Sequence, residues 1–365
     1  MHSISSIFCS RTIYKQGLTA VTFQRRHFAQ SIVAKGHDNP LGLPKLTGSP
    51  PHSPRGPAPQ IPRRGQPIPK RPIPNVKKVI AVASGKGGVG KSTVAVNLAF
   101  ALALLRSPSN LNTVRPRIGI LDLDIFGPSV PTLMGLQNSE EPELTDSAKI
   151  RPIVNHGLPT MSMGYLLPKL GNADGNTDTA VVWRGLMVQK AVQQLLFDVD
   201  WRSGDGGQSA GAGLDVLVVD MPPGTGDVPL TLGQLVNVDG AVIVSTPQDV
   251  ALSDVRKGIV MFRKVGVPIT GLLLNQSHFL CPSCSTPHYL FGSPDSFRAT
   301  AKRLEVDILG ELPLVRGVST GGDSGIPYSL VSSRKAESED AEGGEEWRRV
   351  MDDTAARVWG ELFKV

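Results

Sequence analysis

The stretch Gly85-Lys86-Gly87-Gly88-Val89-Gly90-Lys91-Ser92-Thr93 follows a short apolar run, Val79 to Ala83, and leads directly into a helical pattern, Ser92 to Leu105. It matches G-x-x-x-x-G-K-[ST] with a strand before it and a helix after it, the context the motif needs. The glycines let backbone amides turn inward on phosphates, Lys91 can reach the β and γ oxygens, and the Ser92 hydroxyl is placed to bind Mg²⁺ at a helix N-terminus. The first inference is a Mg-nucleotide site formed by Gly85 through Thr93.

Further apolar or β-branched runs recur at Ile118 to Leu123, Val216 to Val219, Ala241 to Val244, Gly271 to Leu274 and Val306 to Gly310. Helical spacing lies between several of them, at Val181 to Leu196, Leu252 to Val265 and Ser296 to Leu304. Continuous apolar strands alternating with helices predict a mainly parallel sheet buried on both faces, an α/β, doubly wound architecture. Gly/Ser/Asn/Asp-rich segments at Ser107 to Asn112, Gly171 to Asp178 and Ser203 to Gly213 read as surface insertions. An acid-rich loop, 337 to 346, is expected before a final packed amphipathic helix, Trp347 to Phe363.

A P-loop also needs a carboxylate on the Mg²⁺ side, at the end of a buried strand, and Leu214 to Asp220 supplies it at Asp220. The loop Met221-Pro222-Pro223-Gly224-Thr225-Gly226-Asp227 that follows is stiff and Gly-containing, suited to sensing a γ-phosphate. Asp122 and Asp124 end another strand, and Asp124 is the candidate for orienting an attacking water; a cap or turn role is open for any one of these acids. No Asn-Lys-x-Asp guanine-reading signature occurs, which favours ATP over GTP. Asn275, after Leu272-Leu273-Leu274, is either an adenine contact or a turn-forming residue.

Lys86 departs from an ordinary P-loop. A second cation is hard to use within one subunit when Lys91 already serves the phosphates, so Lys86 can instead reach a partner's nucleotide across a dimer interface. At this point the chain resembles the deviant Walker A ATPases, which include the nitrogenase iron protein, MinD and ParA. Within that class it resembles the Mrp and nucleotide-binding-protein family of iron–sulfur cluster carriers. The likeness rests on Ser84 to Thr93, Asp122 to Pro131, Trp183-Arg184-Gly185-Leu186-Met187, Asp220 to Asp227 and Ser245-Thr246-Pro247-Gln248, within a span from about Val76 to about Pro327. The resemblance implies an ATP-controlled homodimer with Lys86 as its signature lysine, slow hydrolysis, and delivery of clusters to apo iron–sulfur proteins. The nearest likeness is to the mitochondrial branch, which implies respiratory complex I as destination.

Cys281-Pro282-Ser283-Cys284 offers two thiolates, which do not complete a four-coordinate site. If two chains face each other at these loops, four thiolates suffice for one shared [4Fe–4S] cluster, the reading the family likeness supports through His288-Tyr289-Leu290-Phe291-Gly292 after the pair. By residue type alone two alternatives stay open: zinc, with His278 and His288 completing a Cys₂His₂ set in one chain, and a redox pair. Pro287 and the short spacing from Cys284 to His288 depart from the family pattern.

The 365 residues carry 38 Lys/Arg and 32 Asp/Glu, a net +6. Residues 1 to 78 hold 13 Lys/Arg and one acid, Asp38, so +12, and the remainder is −6. A mildly acidic domain argues against a phosphate-backbone footprint, so no nucleic-acid partner is expected. Residues 1 to 37, basic, Ser-containing and free of acids up to His37, read as a mitochondrial transit peptide directing the chain to the matrix, with a cleavage tract around Phe28-Ala29. Residues 38 to 75 read as a Pro-rich basic linker, 76 to 330 as the P-loop domain, and 331 to 365 as acidic loop and terminal helix. The longest apolar run, Val94 to Leu105, is too short to span a bilayer, so no integral membrane segment is expected. Two rivals from other classes are a MinD- or ParA-like spatial organiser, which leaves the cysteines unexplained, and an ATP-driven electron donor.

Overall fold

The computed structural model describes residues 69–105, 115–166, 185–202, 211–331 and 333–364. The transit-peptide segment, most of the linker, the insertions at 107–112 and 171–178, most of that at 203–213, and Trp183-Arg184 lie outside the described residues.

In chain order the elements are β1 (Val76–Ser84), α1 (Lys91–Leu104), β2 (Ile118–Asp122), α2 (Val130–Leu133), β3 (Ile153–Asn155), β4 (Leu158–Ser162), α3 (Met163–Leu166), α4 (Gly185–Phe197), β5 (Leu214–Asp220), α5 (Asp227–Leu235), β6 (Gly240–Ser245), α6 (Asp249–Lys264), β7 (Ile269–Leu274), β8 (Phe279–Leu280), β9 (Pro287–His288), α7 (Asp295–Leu304), β10 (Ile308–Glu311), α8 (Arg316–Asp323) and α9 (Ser333–Leu362). An eight-stranded sheet runs β10-β7-β6-β1-β5-β2-β4-β3. Its pairings are parallel except for the edge pair β3–β4. The architecture is the doubly wound α/β one that the strand and helix runs predict.

Successive β1 residues pack on opposite faces, Ala81 and Ala83 with one core cluster, Ile80 and Val82 with the other. β1 therefore reads as an unbroken apolar run, and it sits mid-sheet between β5 and β6. Its C-terminal end is where an open α/β sheet presents ligand-binding loops.

α1 is apolar on nearly every side because it is covered twice, by the sheet and by α9. Val94 to Leu102 are all buried, and Trp347, Met351, Ala355, Val358 and Leu362 form the α9 stripe of the same cluster. The terminal packed helix is present, but it starts at Ser333, so the acid-rich stretch expected as a loop is helical. Glu and Ala are good helix formers.

The structure also differs upstream of Val76. Arg71 bridges to Val236, its N–H donates to Leu235 O (2.9 Å), its guanidinium lies 3.6 Å from the Phe197 ring centroid, and Ile73 is buried. The end of the expected linker is thus pinned to the domain. The strands β3 and β4, and the helices α5 and α8, escape the sequence reading, being short or interrupted by Pro159, Pro229 and glycines.

Candidate functional site

The P-loop joins β1 to α1 with Gly88 and Gly90 both at φ +80, a backbone that side chains resist. Gly90 is the N-cap of α1, so the first amides of that helix face a cavity of about 410 Å³. The cavity is lined by Lys86, Gly87, Gly88, Gly90, Lys91, Ser92 and Thr93, by Asp124 and Pro223, and on the far wall by Ser129, Thr132, Leu133 and Asp323. The predicted phosphate-binding residues are therefore gathered there, apart from Gly85 and Val89, which are not in the lining. Asp323, from α8, is not singled out by sequence; its helix is Gly-rich and carries no motif.

Lys91 is buried and its Nζ donates to Asp220 Oδ1 (2.5 Å) and Ser92 Oγ (3.0 Å). Asp220 comes from the end of β5, paired in register with Val82 of β1 and Asp122 of β2. Burial pushes its carboxyl upward, against the pull of Lys91. Its second oxygen, Oδ2, is buried with no hydrogen-bond partner among the described residues. The unpaired carboxylate oxygen of Asp220 and the Ser92 hydroxyl are hard oxygen donors, so the residues present suit the Mg²⁺ that a P-loop implies.

Asp122 is fully buried and accepts from Asp124 N (2.9 Å), Ser162 Oγ (3.0 Å) and Val130 N (3.3 Å). Burial and the neighbouring Asp220 push it up to about 8. It is a bracket for the turn after β2, whereas Asp124 is the acid that reaches the cavity, half-buried and raised by desolvation. Lys86 is exposed at the cavity rim and enters none of the ion pairs among the described residues. Asn275 lies behind the P-loop, donating from Nδ2 to Val89 O (2.9 Å), and is absent from the cavity lining.

The cysteines sit at the tip of a small hairpin, where the sequence predicts only a loop. β8 and β9 pair antiparallel, Phe279 with His288 and Leu280 with Pro287. Cys281 N donates to Thr286 O (3.1 Å) and Ser285 N to Cys281 O (2.8 Å), closing the turn. Both thiols are free, Cys281 half-buried and Cys284 exposed. Cys284 Sγ donates to Thr286 Oγ1 (3.3 Å), whose own hydroxyl donates to Cys284 O (3.4 Å), and hydrogen bonding with Thr286 and Cys281 holds the Cys284 thiol below the ordinary range. His278 turns away, engaging Ser277 Oγ (3.0 Å) at Nδ1 and Glu346 (3.4 Å) at Nε2. Among the described residues no group of three or more His, Cys, Asp or Glu could hold a metal, so the single-chain Cys₂His₂ set is not assembled. Exposed Phe279, Tyr289, Leu290 and Phe291 border the hairpin.

A family described as ParA, the NUBPL iron-transfer P-loop NTPases, matches residues 75–346. The chain belongs to this family. The match includes both the P-loop and the cysteine hairpin of this NUBPL-family chain. Mouse iron-sulfur cluster transfer protein NUBPL is 48% identical over 268 residues, 73% of this chain and 75% of that protein. The Arabidopsis thaliana iron-sulfur protein required for NADH dehydrogenase, mitochondrial, is 47% identical over 258 residues, 71% and 73% of the two chains. Among solved structures, the Archaeoglobus fulgidus nucleotide-binding protein in complex with ADP superposes with a TM-score of 0.54 at 32% identity, covering 69% of this chain and 87% of that one.

Proposed function

We propose that the chain is an ATP-binding iron–sulfur cluster carrier of the mitochondrial matrix. It works as a homodimer that holds a labile [4Fe–4S] cluster between subunits and delivers it to apoproteins, those of respiratory complex I in particular. The observation that carries the reading is the coexistence on one chain of a P-loop cavity and an exposed hairpin with two thiols and, among the described residues, no third metal-capable side chain beside them. A cluster needs about four ligands, so two hairpins must meet. The names of the mouse and Arabidopsis relatives support the cargo and its destination. The basic, acid-free segment 1 to 37 supports the address, and the zinc reading loses support because His278 is held by Ser277 and Glu346.

Within the cavity the inward amides of Gly87 to Ser92, with Lys91, bind the triphosphate. Ser92 and Asp220 hold Mg²⁺, which supplies charge neutralisation at the phosphate oxygens. Asp124 orients the attacking water, and its raised carboxyl gives it basicity for that role. Lys86, exposed at the rim, reaches the partner's nucleotide, so hydrolysis is slow in the monomer and the γ-phosphate sets the dimer state. Residues 79 to 365, at −6, give no reason for a nucleic-acid partner.

The test is anaerobic reconstitution with iron, sulfide and zinc counted for the wild type and for Cys281→Ser. About four irons per dimer, lost in the variant, is expected; one zinc per monomer overturns the cargo reading. Lys86→Ala is expected to leave folding intact and to weaken ATP-linked dimerisation, and unchanged dimerisation and hydrolysis would remove the in-trans role.

A further inference from the structure

The cysteine hairpin is rooted in the strand end that also braces the P-loop. Asn275, the residue after β7, is 9% exposed. Its backbone N–H donates to Ser245 O (2.7 Å), and its Nδ2 donates to Val89 O (2.9 Å) inside the P-loop. The same Nδ2 fills the space that a Cβ on Gly90 would need. Gln276 follows at φ +56, a left-handed conformation that strains any residue with a Cβ. Ser277 is then fully buried, its N–H and Oγ both donating to Leu312 O (2.9 Å each), with Oγ also 3.0 Å from His278 Nδ1. His278 O accepts from Leu314 N (2.6 Å), and Cys281 comes three residues later.

One hydrogen bond and six residues of chain therefore separate Val89 from Cys281, and no exposed loop intervenes between Asn275 and Ser277. The Val89–Gly90 peptide is a single polarisable unit. Its oxygen accepts from Asn275, and its N–H belongs to a glycine that lines the cavity. An anion that accepts from that N–H strengthens the oxygen as an acceptor, because hydrogen bonds through one peptide group reinforce each other.

We propose that Asn275 and Ser277 are positioning residues that couple phosphate binding at the P-loop to the ordering of the cysteine hairpin. A nucleoside triphosphate tightens the Val89–Asn275 bond; the strained turn at Gln276 is held more firmly; Ser277 passes the constraint to β8. The inference rests on the nucleotide reading of the cavity and is independent of the cargo. A purely static brace makes the opposite prediction, a hairpin indifferent to what the cavity holds.

The experiment is hydrogen–deuterium exchange on the full chain without iron, with and without saturating Mg·ATP. P-loop amides report occupancy, and the Cys281 and Ser285 amides report the hairpin. In the wild type both sets are expected to slow, the hairpin amides by about fivefold or more, the lower end of ordinary coupling between two sites. Ser277→Ala is expected to retain the P-loop slowing and lose that of the hairpin. Asn275→Ala is the second arm, expected to lose the hairpin response as well, and it decides the matter should Ser277→Ala not fold. Hairpin amides that ignore Mg·ATP while P-loop amides respond overturn the coupling alone. A full hairpin response in a folded variant does the same. P-loop amides that ignore Mg·ATP in the wild type overturn the nucleotide reading together with the coupling.

Discussion

Lys91 and Asp220 sit at the middle of the sheet, 6% and 0% exposed, with Asp122 buried behind them. Cys281 and Cys284 sit on a hairpin of two paired residues per strand, with Cys284 open to solvent. The phosphate site is thus part of the core, its groups fixed by β1, β2, β5 and α1 at once. The cysteine site hangs outside the sheet, closed by two turn hydrogen bonds and bordered by exposed apolar side chains. Fixed fields are what phosphate binding needs, whereas a cargo that must leave is better held by ligands in a segment of low local stability. Substitutions should therefore act on stability at one site and on cargo alone at the other.

The largest contrast is expected between Lys91→Met and Cys281→Ser. Removing the ammonium leaves Asp220 buried without its partner, a change that typically costs about 3–5 kcal/mol. Protonation of Asp220, whose carboxyl is already raised, keeps the loss toward the lower end. Cys281→Ser alters one half-buried turn residue outside the sheet and should stay within about 0.5 kcal/mol of wild type, while abolishing iron retention. Urea unfolding of the two variants measures the difference; equal midpoints would mean that the P-loop pair does not brace the fold.

Glycines give a second contrast of the same kind. Gly90→Ala must place a Cβ at φ +80 against Asn275 Nδ2, and backbone strain with overpacking should cost about 3 kcal/mol. Gly292, just beyond the hairpin, has φ +101, but nothing lies within 4 Å of the point where a Cβ would stand, so only the strain remains, about 1 kcal/mol for Gly292→Ala. Thermal unfolding ranks them, and an equal pair would show that Asn275 yields easily.

The pH response should be set by the core site. Asp122, Asp124 and Asp220 are all raised in the folded chain, Asp122 to about 8 from an ordinary 3.8. A folded state that keeps protons the unfolded state has released loses stability as pH rises. The stability from Asp122 is full below the ordinary carboxylate range and is lost on the way up to about pH 8. Asp122→Asn, which mimics the protonated form, should flatten the decline in unfolding midpoint between acid and alkaline buffer; an unchanged slope would mean the other two acids carry it.

The core site is far more legible in the sequence than the hairpin. Val79 to Ala83 followed by Gly85 to Thr93 fixes a strand, a turn and a helix start by local chemistry, and Asp220 ends a run of buried β-branched residues. The fold class follows from the same long apolar runs. The hairpin has two paired residues per strand and includes Pro287, so neither periodicity nor propensity marks it. In sequence Asn275 reads equally as an adenine contact or a turn former, because its Val89 partner is 186 positions away. The role of Asp122 as bracket rather than cavity acid likewise depends on Ser162, supplied by β4, a strand that breaks pattern at Pro159.

The smallest expected effect lies within the hairpin itself. Cys284 is tuned by a neighbour two residues away: its Sγ lies 3.3 Å from the Thr286 hydroxyl, and hydrogen bonding with Thr286 is the largest cause of its lowered thiol pKa. Thr286→Val keeps the branched shape and the backbone bond to Cys281 while removing the hydroxyl. The thiol then rises toward its ordinary value, so less thiolate is present near neutrality and alkylation of Cys284 by iodoacetamide should slow by about threefold at about pH 7. Above both thiol values each form is fully ionised, and the two rates should converge in strongly alkaline buffer. Fragment-ion mass spectrometry separates Cys284 from Cys281, which shares its peptide, and from Cys9. A rate unchanged near neutrality would remove Thr286 from the account of the thiol and leave the backbone amide and Cys281 as its tuning groups. Either result concerns residues inside one turn, unlike the P-loop site, where Lys91, Asp122 and Asp220 arrive from α1, β2 and β5.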